Sequence, residues 1–150
     1  MKRILISAIL AIAASTASAQ SVLERWLADP TQVFNATDIT PEDFIWIARP
    51  VVVFAQSPLD QQFIQQMDLL TARMDELVER DVILIADTDP ATPSALRNAL
   101  RPRAFMLALI GKDGRTVLRK PAPWDVRELS RSIDKIPQRK QEIKDRRASE

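Results

Sequence analysis

Two short, wholly apolar runs dominate what this chain can become. Val51-Val52-Val53-Phe54 and Val82-Ile83-Leu84-Ile85-Ala86 carry no polar alternation, the signature of strands buried on both faces. Between them Leu59, Phe63, Met67, Leu70, Met74 and Leu77 recur every three or four residues. That spacing predicts a helix to about Glu79 with one buried face, and with Gln61, Gln62, Gln65 and Gln66 mostly toward solvent. Pro50 suits the start of the first strand. Ser57 is expected to cap the helix, with Pro58 in its first position and Asp60 near its free N–H groups. Strand, crossover helix and strand then form a right-handed, parallel βαβ unit.

The remainder extends that unit. Thr92-Pro93 predicts the opening of a helix through roughly Leu100, broken by Pro102. Residues 104–110 read as a third strand and 115–119 as its antiparallel return across the exposed turn Gly111-Lys112-Asp113-Gly114. Asp125 and Glu128 have capping-box spacing, and Trp124 with Leu129 the spacing of a hydrophobic staple. They precede a helix whose apolar face is Val126, Leu129, Ile133 and Ile136. Residues 138–150 are a charged tail, frayed or partly helical. Residues 20–48 form an N-terminal helical extension. Leu23, Trp26 and Leu27 share one helical face there, Thr40-Pro41-Glu42-Asp43 resembles a capped start, and Phe44 to Ile47 offer apolar bulk for docking. The expected class is α/β, a three-layer sandwich with a mixed sheet: a central parallel β-α-β unit, then a hairpin and a closing helix.

The first residues give an address. Lys2 and Arg3 precede an apolar run from Ile4 to Ala14, and Ala17-Ser18-Ala19 is an A-x-A cleavage site. Cleavage between Ala19 and Gln20 predicts a periplasmic or secreted protein with no transmembrane segment after processing. Removing Lys2 and Arg3 from 21 basic and 20 acidic residues leaves a net charge of −1, which supplies no general attraction for nucleic acid. The chain has no cysteine and no histidine. Thiol redox chemistry, thiolate metal sites and the Ser-His-acid triad are therefore excluded, and no cofactor or metal is expected. Carboxylate chemistry, lysine chemistry and oxygen-ligated cations remain open.

Ligands of open α/β sheets sit beyond the carboxyl ends of the strands. That placement makes Gln56, Ser57, Asp60, Asp87, Asp89 and Arg103 a candidate binding loop. Ser57 lacks a histidine to activate it, and Ser-Pro with Asp60 is good capping chemistry. Asp87 and Asp89 offer two oxygen donors to a hard cation, too few for a calcium loop, and Asp-Thr-Asp-Pro suits local backbone pairing. Arg115, Arg119, Lys120, Arg127 and Arg131 beside Trp124 form a second candidate, a basic surface patch for an acidic partner or anionic polymer. No residue is assigned a catalytic role.

RPVVVFAQSPLDQQF at 49–63, ERDVILIADTD at 79–89, LIGKDG within LALIGKDGRTVLR at 107–119, and the segment from Trp124 to Pro137 together resemble the exported bacterial DUF4174 family. Its vertebrate relatives occur in extracellular sushi-repeat and coiled-coil-containing matrix proteins. The resemblance covers residues 50–137 and implies a thioredoxin-like or peroxiredoxin-like fold for 49–137. Thioredoxins carry Cys-x-x-Cys where this chain has Gln56-Ser57-Pro58-Leu59-Asp60, and a cis-proline directly before the third strand, where Pro102 lies a few residues early. The fold without its thiols implies a noncatalytic binding or structural module with an exported or envelope protein partner. The rival is a hydrolase-like or ligand-binding enzyme using Asp or Ser at the strand ends.

Overall fold

Val51 to Phe54 end up where their lack of polar alternation puts them. In the computed structural model, which describes residues 20–150, strand β2 (Arg49–Phe54) is buried along its whole length at the centre of the sheet. The expected signal peptide, residues 1–19, lies outside the described residues. β3 (Val82–Asp87) pairs with β2 in parallel, with Val52 opposite Ile85, and β4 (Met106–Ile110) pairs with it antiparallel, with Val52 opposite Ala108. β5 (Thr116–Lys120) closes one edge antiparallel to β4, and β1 (Val33–Asn35) closes the other in parallel with β3. The order is β1-β3-β2-β4-β5, a five-stranded mixed sheet.

Alternate side chains supply two cores. Val52, Phe54, Ile83, Ile85, Ala108 and Ile110 pack with α1 (Val22–Ala28), α4 (Ala95–Leu100) and Phe44 of a 3-10 turn (Pro41–Phe44). Val51, Val53, Leu84, Leu107 and Leu109 pack with α2 (Gln61–Thr71), α3 (Met74–Val78) and α5 (Val126–Asp134). Helices on both faces make three layers.

Several local expectations are corrected. Asp60, not Ser57, caps α2: its carboxylate accepts from the Gln62 and Phe63 N–H groups at 2.9 and 3.1 Å. The Ser57 hydroxyl instead accepts from Leu59 N–H at 3.1 Å, closing a turn that leaves Leu59 exposed. Asp60→Ala is therefore expected to cost about 1 kcal/mol and Ser57→Ala clearly less, read as shifts in urea midpoint. The single long helix is two, broken at Arg73. The Thr71 hydroxyl donates back to the Met67 carbonyl at 2.8 Å, a bond that bends helices.

Gln66, expected in solvent, is fully buried. Its amide accepts from Trp124 N–H at 2.7 Å and donates to the Trp124 carbonyl at 3.0 Å, pinning the approach to α5 as a strand neighbour would. Ser94, not Thr92, caps α4 by accepting from Arg97 N–H at 2.9 Å. Asp125 caps α5, but Glu128 turns away from the capping box to pair with Arg131 at 2.9 Å. The third strand starts at Met106, two residues later than its apolar pattern suggests.

The flanking segments are part of the packed structure. α1 opens on a Ser21–Glu24 capping box and buries Trp26, whose indole N–H donates to the Val82 carbonyl at 3.3 Å, while Leu27 is exposed. Of the expected docking residues only Phe44 is buried. Ile45, Trp46 and Ile47 are exposed, and Trp46 is held in the left-handed region at φ 65° while its N–H donates to the Lys112 carbonyl. Thr40 makes no side-chain cap. The charged tail is α6 (Pro137–Ala148), with Arg139 buried and Glu142 set between Arg49 and Lys112 at 2.8 and 3.0 Å. Lys112, expected in an exposed turn, is consequently tucked in. Among the described residues no helix is long and apolar enough to cross a membrane.

Candidate functional site

The carboxyl ends of β2 and β3 lie side by side with the start of β4, because Phe54 faces both Asp87 and Met106. Everything expected of the strand-end loop is at this end, but its groups separate into two kinds.

Asp87, Ser94 and Arg97 are the first kind. Asp87 is buried at 4 % exposure and Arg97 at 7 %. The Ser94 hydroxyl donates to Asp87 Oδ2 at 2.6 Å, and Arg97 Nε donates to Oδ1 at 2.8 Å. Arg97 Nη2 also donates to the Ala55 and Asp87 carbonyls, so one guanidinium ties the ends of both parallel strands. The Phe54 ring lies 5.5 Å below it. A buried charge tolerates its site only when paired and hydrogen-bonded, and this pair is both. Asp89 is exposed and accepts from Ala91 N–H at 3.0 Å. A hydrogen bond from the Thr92 side chain and that backbone bond hold its carboxyl below the ordinary range. Asp87 and Asp89 share a small polar hollow of about 190 Å³ with Asn35, Thr37, Thr88 and Thr92. Among the described residues no cluster of three or more His, Cys, Asp or Glu side chains could hold a metal ion. Ser57 and Asp60 are taken by their turn and cap.

The second kind is cationic and unpaired. A cleft of about 350 Å³ opens where α4 runs into β4 and where β5 ends. Arg101, Arg103, Arg119 and Lys120 line it, with Pro102, Phe105, Met106 and Pro121 as apolar surface, Gln62 and Ala104 at its sides, and no acidic residue. None of the four cations is ion-paired with an acid among the described residues. Asp60, two residues before Gln62, spends its carboxylate on the α2 cap. Gln56 Nε2 donates to the Arg103 carbonyl at 3.3 Å, fixing the loop that carries Pro102 and Arg103. Arg119 Nη1 donates to the Leu100 carbonyl at 2.8 Å, and Lys120 Nζ sits 4.3 Å over the Trp124 ring.

Arg101 is the residue that periodicity and charge counting missed. It ends α4 at φ 49°, the left-handed position where helices favour glycine. An arginine there is strained, and strain in a loop is a pointer to use rather than to stability. The signal in the sequence is the dipeptide Arg101-Pro102 directly after a predicted helix, where a stop residue with a long charged side chain stands in place of glycine.

The proposed surface patch does not assemble as one. Arg119 and Trp124 reach the cleft, the latter through Lys120. Arg115 lies at the opposite end of β5, in a shallow depression with Val117 and Ile136. Arg127 and Arg131 are exposed on α5, and Arg131 is paired with Glu128.

A family model described as a domain of unknown function, DUF4174, matches residues 40–142. That span takes in the 3-10 turn at Pro41 and reaches Glu142 of α6. Among the curated proteins, none matches the chain.

Proposed function

The chain belongs to the DUF4174 family, and we propose that it is an exported, noncatalytic binding module of thioredoxin-like fold that receives an anionic group in the cleft of Arg101, Arg103, Arg119 and Lys120. The observation that carries this reading is the collection of four unpaired cations, with no acid, at the carboxyl end of the parallel strands. Over residues 20–150 as a whole the acids and bases nearly cancel, so the four cations stand out as a local excess. Cations crowded around one hollow raise the local concentration of anions, and arginine forks pair well with carboxylate or phosphate oxygens.

A noncatalytic role is supported by the neighbouring polar groups, which already have partners. Asp87 is paired with Arg97 and Ser94, and Asp60 and Ser57 hold backbone N–H groups. With no cysteine in the chain, the position of the thioredoxin thiols carries no redox chemistry. The parallel β2–α2–β3 unit followed by the β4–β5 hairpin and α5 supports the thioredoxin-like reading. Export is supported by the basic start, apolar run and A-x-A site of residues 1–19.

The test uses tripolyphosphate as probe in isothermal titration. Arg103→Glu with Lys120→Glu is expected to weaken binding at least tenfold, while Arg127→Glu with Arg131→Glu on α5 changes it less than threefold. Arg101→Gly is expected to raise stability by up to about 1 kcal/mol by relieving the left-handed strain, yet to weaken binding. Equal losses from both charge reversals would mean diffuse surface charge and overturn the proposal, as would an Arg101→Gly variant that binds as well as the parent.

A further inference from the structure

The basic cleft has an apolar neighbour. A second hollow of about 350 Å³ lies between the 3-10 turn Pro41–Phe44, α4 and the β4–β5 hairpin, walled by Phe44, Leu96, Leu100 and Ile110. Arg119 lines both hollows. Its guanidinium donates to the Leu100 carbonyl at 2.8 Å, and of the consecutive residues Leu100 and Arg101 the first lines the apolar hollow and the second the basic cleft. Glu42 is the one acidic residue lining the apolar hollow among the described residues. It enters from the 3-10 turn and repels an anion from that side, which leaves the Arg119 end as the place for a negative head.

Resting on the anion-binding reading above, we propose that the ligand is an amphipathic anion. Its head lies on Arg101, Arg103 and Lys120, and its apolar chain crosses Arg119 into the hollow beside Phe44 and Ile110. Charge complementarity selects this occupant. A small multivalent anion leaves the apolar half empty. A second copy docked by a twofold axis would set the four cations against their own kind. An apolar ligand without charge leaves the cations unused. The two hollows, each in the size range of a small-ligand site, match the two halves of one molecule.

The probes are inorganic phosphate, hexyl phosphate, decyl phosphate, decanoate and decanol, each below its aggregation limit, with affinities from titration calorimetry. Burying methylenes strengthens binding by about fourfold each while the hollow has room, so decyl phosphate is expected to bind at least tenfold more tightly than hexyl phosphate. Decanol is expected to bind far more weakly than either decyl phosphate or decanoate, and the last two together separate a phosphate head from a carboxylate one. Ala99 lines the apolar hollow from the exposed side of α4. Ala99→Trp is expected to fill the hollow and erase the chain-length gain while leaving phosphate binding intact, with Thr116→Trp as the alternative filler should Ala99→Trp melt early. Equal affinity for the two alkyl phosphates, or a chain-length gain that survives both fillers, overturns the amphiphile. Phosphate binding lost in Arg103→Glu would still stand with the anion site itself. No binding of phosphate or any alkyl anion up to millimolar concentration overturns both.

Discussion

Asp87→Ala is expected to cost about 3–5 kcal/mol, the loss that follows when one partner of a buried ion pair is removed. Arg97, at 7 % exposure, would keep its charge with no carboxylate, left to the backbone carbonyls of residues 55 and 87 and the Phe54 ring. Domains of this size hold about 5–15 kcal/mol in all, so the variant sits close to unfolding at ordinary temperature. The double replacement Asp87→Leu with Arg97→Met removes both charges and is expected to recover part of the loss, since an apolar pair of similar bulk avoids the cost of burying charge. Thermal and urea melts of the three proteins measure this. A double variant no better than Asp87→Ala would place the stabilisation in the Arg97 bonds to the strand-end carbonyls rather than in the ion pair.

Glu142→Gln is expected to lose about 3 kcal/mol, toward the low end for a broken buried pair because a quarter of the Glu142 side chain still meets water. Arg49 is fully buried, donating through Nη1 to the Arg80 carbonyl and through Nη2 to Glu142. Lys112 adds a second cation at 3.0 Å. Burial pushes the Glu142 carboxyl up, but the hydrogen bonds and charges of Arg49 and Lys112 together outweigh it and hold the group below its ordinary value of 4.5. A carboxyl depressed in the folded state adds stability that is fully present above the unfolded value and is lost as pH falls through the lower folded one. α6 is therefore expected to stay docked from neutral pH down to about 5 and to loosen below about 4.5. Hydrogen exchange of α6 amides against pH reads this, and the acid limb is expected to shrink in Glu142→Gln.

The strands that set the architecture were legible because their residues announce burial locally. Val51 to Phe54 and Val82 to Ile85 have no polar partner to turn outward, and Asp113-Gly114 marks the hairpin. β1 was not legible: Val33-Phe34-Asn35 is too short to show a period, and only the open edge of β3 makes it a strand. The choice between Ser57 and Asp60 as cap turns on where the chain after β2 can bend, which no spacing reveals. Gln66 against Trp124, 58 positions away, and Glu142 against Arg49, 93 positions away, are pairings that exist only once the fold exists.

The site follows the same division. Gln56, Arg103 and Arg119 could be named from strand ends and charge. Arg101 could not, because its place depends on a left-handed turn that swings the chain from α4 back toward β4. The register that sets Leu107 opposite Lys120 then brings the end of β5 to the same place. Conversely, Asp87 looked like a ligand and is a strut. A carboxylate at a strand end is a functional candidate only while it has no buried cation of its own, and Arg97 lies ten positions downstream on a helix whose cap the sequence misplaced.

The central claim is that anions bind at one place, the cleft of Arg101, Arg103, Arg119 and Lys120. The most direct measurement is a two-dimensional amide NMR titration with tripolyphosphate. Saturable shifts concentrated on the amides of Arg101, residues 103–106, Arg119 and Lys120, with those of Asp89, Ala91, Thr92 and α6 unmoved, are the predicted result. Shifts spread evenly over exposed lysines and arginines, or centred on the Asp87–Asp89 hollow, would contradict it.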